Sequence, residues 1–189
     1  DELNKYEGST SLKFREKQSV IAFTETAYYD SVISNYFNKN SNIIFTEKKT
    51  FHGNLIERLR YGENPHQLSA IYSTNPNLDL KKIQGKQLSY NNYNDIYTAL
   101  TISASLPKNK STVIVKHANP CGVSVNSDNL ESYKSALRCD PISAFGGVVS
   151  CNFKINSELA IELNKLFLEV IIGSSFDKKA LEILKKKKN

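Results

Sequence analysis

Lys116 and His117 stand side by side, followed by Ala118-Asn119-Pro120-Cys121-Gly122, which reads as the turn where a strand ends. An imidazole can accept a proton near neutral pH. An ammonium beside it disfavours the imidazolium, so the pair joins a proton acceptor to a positive charge. That combination suits removal of a proton from an attacking group while an oxyanion or phosphate is stabilised. Neighbouring residues of a regular strand face opposite sides, so the two serve one site only where the strand has broken. The Asn119-Pro120 that follows supports such a break at the pair itself.

A second stretch, Arg60-Tyr61-Gly62-Glu63-Asn64-Pro65-His66-Gln67, combines an anion binder, a phenol and a turn. The arginine fork suits a phosphate. Asn64-Pro65 fixes an extended or turn conformation that could aim His66 and Gln67 inward; a polar surface loop is the competing reading. A third stretch, Asp140-Pro141-Ile142-Ser143-Ala144-Phe145-Gly146-Gly147, ends in a glycine pair just before a strand. It fits neither a phosphate-binding loop nor a dinucleotide fingerprint, and a structural turn and a ligand-contacting turn remain open.

A zinc site is not expected. His117-Ala118-Asn119 lacks the glutamate of the deaminase HxE element, and Pro120-Cys121 is not followed three residues later by a second cysteine. Cys139 and Cys151 are not spaced as a zinc pair, so the cysteines read as small buried or turn residues.

The elements that must position these groups alternate. Residues 11–37 read as a long helix, with Leu12, Val20, Phe23, Ala27, Ile33 and Phe37 on one face. Such a face needs a partner, and nothing before it in the chain supplies one. Residues 38–49 read as a linker in which Ile43-Ile44-Phe45 could form a short strand. Residues 69–72 are expected as a strand. A helix capped by Asn94 and opened by Asp95 is expected to stop before Pro107. Strands follow at 112–116, 148–151 and 169–172. Helices follow at 130–137, after Asn156 as cap, and after Asp177 as cap. The order predicts an α/β fold, a layered sheet with covering helices.

Four of the six net positive charges come from the lysines at 185–188, which leaves the rest nearly balanced. A lysine run at a helix end reads as a solvated terminus, and no nucleic-acid recognition motif accompanies it. Three irregularly spaced cysteines make no disulfide framework, and no apolar run approaches a membrane span, so a cytoplasmic protein is expected. No methionine stands at position 1, and the last strand and helix lead nowhere further; truncation is the expected reason.

RYGENPHQ at 60–67, GKQLSYNN at 85–92, KHANPCG at 116–122 and DPISAFGG at 140–147, in this order, resemble the bifunctional AICAR transformylase/IMP cyclohydrolase family in its bacterial form. The resemblance covers essentially the whole chain. It implies that residues 1–40 are the C-terminal helical segment of an incomplete cyclohydrolase domain. Residues 41–189 would be the first, cytidine-deaminase-like subdomain of an incomplete transformylase domain. The implied reaction of purine biosynthesis is formyl transfer from 10-formyltetrahydrofolate, a cosubstrate, to the 5-amino group of AICAR, giving FAICAR. The full-length enzyme would also cyclise FAICAR to IMP. No metal is required. The resemblance makes His117 and Lys116 catalytic and assigns AICAR binding to Arg60, Tyr61, His66, Asn92, Gly146 and Glu169. Some relatives carry aspartate at the last position. It further implies a homodimer, with neither nucleic acid nor membrane as partner. A non-catalytic nucleotide-binding or dimerisation fragment is the alternative.

Overall fold

Residues 2–41, 44–75 and 80–186 are described by a computed structural model, in two units. One runs to Ile56 and takes up the chain again at Tyr72; the other comprises Glu57–Ile71 and the chain from Leu80 onward. No described helix is long and apolar enough to cross a membrane.

The first unit begins with a single helical turn, α1 (Glu2–Lys5), and a 29-residue helix, α2 (Leu12–Asn40). Ser11 caps α2 by accepting from the Phe14 amide, and no proline or glycine interrupts it. The segment after it returns along the C-terminal half of the helix. The Ser31 hydroxyl meets His52 Nδ1 at 3.1 Å, Asn35 Nδ2 donates to the Thr50 hydroxyl at 3.0 Å, and the Tyr28 and His52 rings meet edge-on. Ser31 is the only buried residue of α2, whereas Val20 and Phe23 of the apolar face are exposed. Ile44 and Phe45 lie outside any strand and are exposed, so the strand expected there does not form over them; Ile43 lies outside the described residues.

Strands β1 (Asn54–Arg58) and β2 (Ala70–Ser73) pair as a two-stranded ribbon.

The second unit is built on β3 (Ser111–Lys116), whose Val113, Ile114 and Val115 are fully buried because helices cover both faces. It pairs antiparallel with β4 (Asn119–Val125) on one side and with β5 (Gly147–Ile155) on the other. Beyond β5 lies β6 (Leu168–Phe176), parallel to it, in the order β4-β3-β5-β6. Helix α3 (Tyr90–Ser105) covers one face, with Ile96 and Ala99 against Val113, Val115 and Val148. Helices α4 (Asn129–Cys139), α5 (Ser157–Asn164) and α6 (Lys178–Leu184) cover the other. There Tyr133, Ala136, Leu159, Leu163 and Leu184 cluster with Ile114, Val149 and Cys151. This is the expected α/β sheet with covering helices.

Three local expectations are corrected. Helix α3 begins at Tyr90 and not at Asp95, with Ser89 rather than Asn94 as cap. Ser89 and Asn92 form a reciprocal capping box, which satisfies the first free amides five residues earlier than Asn94 could. The chain does break directly after Lys116, but Asn119-Pro120 is the start of β4 and not part of the turn. Pro120 is tolerated because β4 is an edge strand. Asp177 precedes α6 without a side-chain capping bond; its carboxylate pairs with Lys154 at 2.5 Å.

Gly122 sets how closely α4 approaches the sheet. A β-carbon there would lie 2.0 Å from the backbone oxygen of Ala136.

Candidate functional site

Because β3 and β5 are antiparallel and β5 and β6 parallel, the end of β3 and the starts of β5 and β6 lie at one edge of the sheet. Lys116, Gly146 and Glu169 belong to those three ends. The start of α3 supplies Asn92 and Asp95 to the same edge.

The connection from β3 to β4 is only two residues long. Lys116 pairs with Asn119, and His117 and Ala118 form the turn with φ of 52° and 57°. Both central residues are left-handed, as a type I′ hairpin turn requires, although neither is the Asn or Gly that such turns favour. The strand has therefore broken at His117, which frees the exposed imidazole from strand alternation. The Ala118 amide donates to Asp95 Oδ1 at 2.6 Å, and Asn119 Nδ2 donates to the His117 carbonyl at 2.8 Å.

Lys116 Nζ donates to the Gly146 carbonyl at 2.7 Å. Gly146 has φ of 67°, and its own amide donates to Phe167 O at 2.8 Å. The segment before it is braced by Asp140, which accepts from the Ser143 amide and hydroxyl; the Ser143 bonds hold its carboxyl below the ordinary range. The rings of Phe145 and Phe167 lie 5.2 Å apart beside Gly146, with Phe145 largely exposed.

Asn92 Nδ2 donates to the Glu169 carboxylate. The other end of the Asn92 amide accepts from the Ser89 amide at 3.0 Å and the Ser89 hydroxyl at 3.1 Å. The capping box therefore orients the amide, and the amide orients Glu169.

Arg60 and Tyr61 join the chain just ahead of α3. The Arg60 amide donates to Leu88 O, and the Tyr90 amide donates to Tyr61 O. The Arg60 guanidinium lies over the Tyr61 ring, 4.7 Å from its centre, and donates to the Tyr61 hydroxyl at 3.0 Å. Pro65 and His66 are the middle residues of a turn closed by the Gln67 amide on Asn64 O. Gln67 Oε1 folds back to accept from the Asn64 amide, and both His66 and Gln67 are exposed, so they are not aimed inward.

The structure thus links Lys116 to Gly146 and Asn92 to Glu169 at one sheet edge, with His117 in the adjoining turn. Among the described residues, no hydrogen bond ties His66 to these five. Asp95 was legible only as a helix opener, since nothing in the sequence connects it to residue 118. Cys121, opposite the irregularity between Ile114 and Val115, donates to Ile114 O at 3.5 Å, and burial pushes its thiol up, which suits packing more than nucleophilic attack. Among the described residues, no group of three or more His, Cys, Asp or Glu side chains is placed to hold a metal ion.

An α/β sheet with a polar cluster at the strand ends defines a broad class of ligand-binding domains. Comparison with known sequences narrows it. The family model described as AICARFT/IMPCHase bienzyme matches residues 1–189. The chain belongs to that family. The bifunctional purine biosynthesis protein PurH of Bradyrhizobium diazoefficiens is 43% identical over 195 residues, spanning all of this chain and 37% of that protein. The protein of the same name from Leptospira biflexa is 47% identical over 171 residues, 88% of this chain and 33% of its own length. That of Rhizobium leguminosarum bv. trifolii is 44% identical over 188 residues, 96% and 35% respectively. The chain spans about a third of the length of the curated relatives it matches.

Proposed function

We propose that this chain is a segment of a bifunctional purine-biosynthesis enzyme and carries the catalytic pair of its formyltransferase. In this reading residues 1–40 are the end of a cyclohydrolase domain, and residues 41–189 are the first, deaminase-like subdomain of an AICAR transformylase domain. The full-length protein cyclises the product, FAICAR, to IMP. The sheet edge that gathers Lys116, His117, Gly146, Asn92 and Glu169 supports this assignment.

The 5-amino group of AICAR is a poor nucleophile, because the ring carboxamide withdraws electron density from it. As it attacks the formyl carbon of 10-formyltetrahydrofolate, His117 takes the amine proton and negative charge develops on the formyl oxygen. An ammonium has three donors; Lys116 gives one to Gly146 O, and the remaining two are available to stabilise the formyl oxygen. The new C–N bond forms, the bond from the formyl carbon to folate N10 breaks, and N10 takes the proton that His117 removed from the amine, which returns the imidazole to its starting state. Arg60, braced on Tyr61, offers its fork to the nucleotide phosphate. Asn92, Glu169 and Gly146 contact the nucleotide near the reacting amine; His66, exposed in its turn, would join them only by moving toward the bound nucleotide. Two such polypeptides pair as a homodimer in the cytoplasm.

Calorimetric titration of the chain with AICAR, wild type beside Arg60→Ala and His117→Ala, tests the binding part. Saturable binding weakened mainly by Arg60→Ala is expected. A folded chain without binding would count against this assignment; the second reading is a non-catalytic nucleotide-binding or dimerisation fragment of the family, and the chain spans about a third of its relatives' length.

A further inference from the structure

We propose that Asp95 is a positioning residue for His117, its carboxylate holding the two-residue turn that presents the imidazole. The inference deepens the reading of His117 given above and rests on it.

The turn is intrinsically disfavoured. His117 and Ala118 take φ of 52° and 57° in succession, where a β-carbon crowds the following carbonyl. With neither Asn nor Gly at these positions, local preference does not select the conformation, so a contact from outside the turn must do so. The bond from the Ala118 amide to Asp95 Oδ1, at 2.6 Å, is that contact. Its acceptor is a carboxylate oxygen and its surroundings are partly buried, which favours a stronger bond than an amide or hydroxyl acceptor would make.

Asp95 is itself fixed. It is 9% exposed, and the next residue, Ile96, packs with Ala99 against Val113 and Val115 of the strand that ends in Lys116. One helical turn earlier, on the same side of α3, Asn92 holds Glu169. A single helix face therefore sets both the histidine turn and the acidic side chain.

The test uses the complete bienzyme for turnover and the 189-residue chain for amide exchange. Asp95→Ala is expected to lower kcat by about tenfold or more while the KM for AICAR moves by less than about threefold. Asp95→Asn keeps an acceptor oxygen in place and is expected to stay within about threefold of wild type. Adding Ala118→Gly to Asp95→Ala is expected to recover most of the lost kcat, because glycine holds positive φ without help. The Ala118 amide should exchange at least about tenfold faster in Asp95→Ala than in wild type or Asp95→Asn. Should Asp95→Ala not fold, Asp95→Glu, which misplaces the acceptor, serves with the same readouts. Unchanged exchange at Ala118 overturns the contact whatever His117 does. A kcat loss that Ala118→Gly leaves unrecovered overturns the positioning role. Failure of the underlying reading shows separately, as a His117→Ala bienzyme with normal turnover.

Discussion

The ammonium nitrogen of Lys116 lies 2.7 Å from the carbonyl oxygen of Gly146, 30 residues further along the chain. A flexible side chain is thereby tied to a bend that only glycine adopts easily, since Gly146 has φ of 67°. A β-carbon there would lie 2.8 Å from Lys116 Nζ and 3.4 Å from the Phe167 ring. Gly146→Ala should therefore displace the lysine and strain the bend. A stability loss of about 1–2 kcal/mol is expected in a denaturant melt, with a drop in formyl transfer of about tenfold or more. Unchanged turnover would separate the Lys116 contact from catalysis.

Asn92→Asp removes the amide donor that Glu169 accepts and sets two carboxylates face to face. Like charges push one carboxyl up, so the folded state of the variant binds a proton more readily than the unfolded state. The variant is thus least stable at neutral and higher pH and recovers as pH falls toward the carboxylate range. A deficit of about 1–2 kcal/mol at pH 7 that shrinks by pH 5 is expected in melts across pH. A deficit independent of pH would mean that only the cap matters.

The three free cysteines give a direct reading of the fold. Cys139 is exposed, Cys121 half-buried and Cys151 buried. Burial raises the Cys121 thiol, and it pushes Cys151 from an ordinary 9.0 up to about 12. Alkylation at pH 8 followed by peptide mapping should modify Cys139 first, Cys121 more slowly, and Cys151 only on unfolding. A raised folded value means that the Cys151 contribution to stability is complete below pH 9 and is lost as pH rises toward 12. Rapid native labelling of Cys151 would contradict the packing of β5.

Gly122→Ala tests the contact between α4 and β4. Its β-carbon would fall 2.0 Å from Ala136 O, a backbone atom that moves only if the helix does. A loss of about 2–4 kcal/mol is expected in chemical denaturation. A loss near zero would show that α4 can shift without cost.

How far the sequence revealed this molecule depends on the range of each signal. The strand leading to Lys116, the helix after Asn156 and the long α2 were legible because apolar spacing and cap chemistry are local. The start of α3 was not, since an asparagine-rich run reads as a loop until Ser89 and Asn92 are seen to cap each other. The hairpin at His117 was hidden for a related reason: Asn119-Pro120 carries stronger turn chemistry than His117-Ala118, and the actual turn is held by Asp95, 23 residues away. The pairing of Asn92 with Glu169 spans 77 residues and depends on which strands become neighbours. The motif at 85–92 brought Asn92 to notice and the family resemblance Glu169, but only the sheet order joins them.

The central claim is that His117 takes the proton during formyl transfer. Single-turnover transfer by the complete bienzyme, with AICAR affinity measured in parallel, tests it most directly. The account predicts that His117→Ala slows transfer by about 10²–10⁴-fold while the Kd for AICAR changes by less than about threefold. Transfer at the wild-type rate by a His117→Ala enzyme with AICAR bound would contradict it.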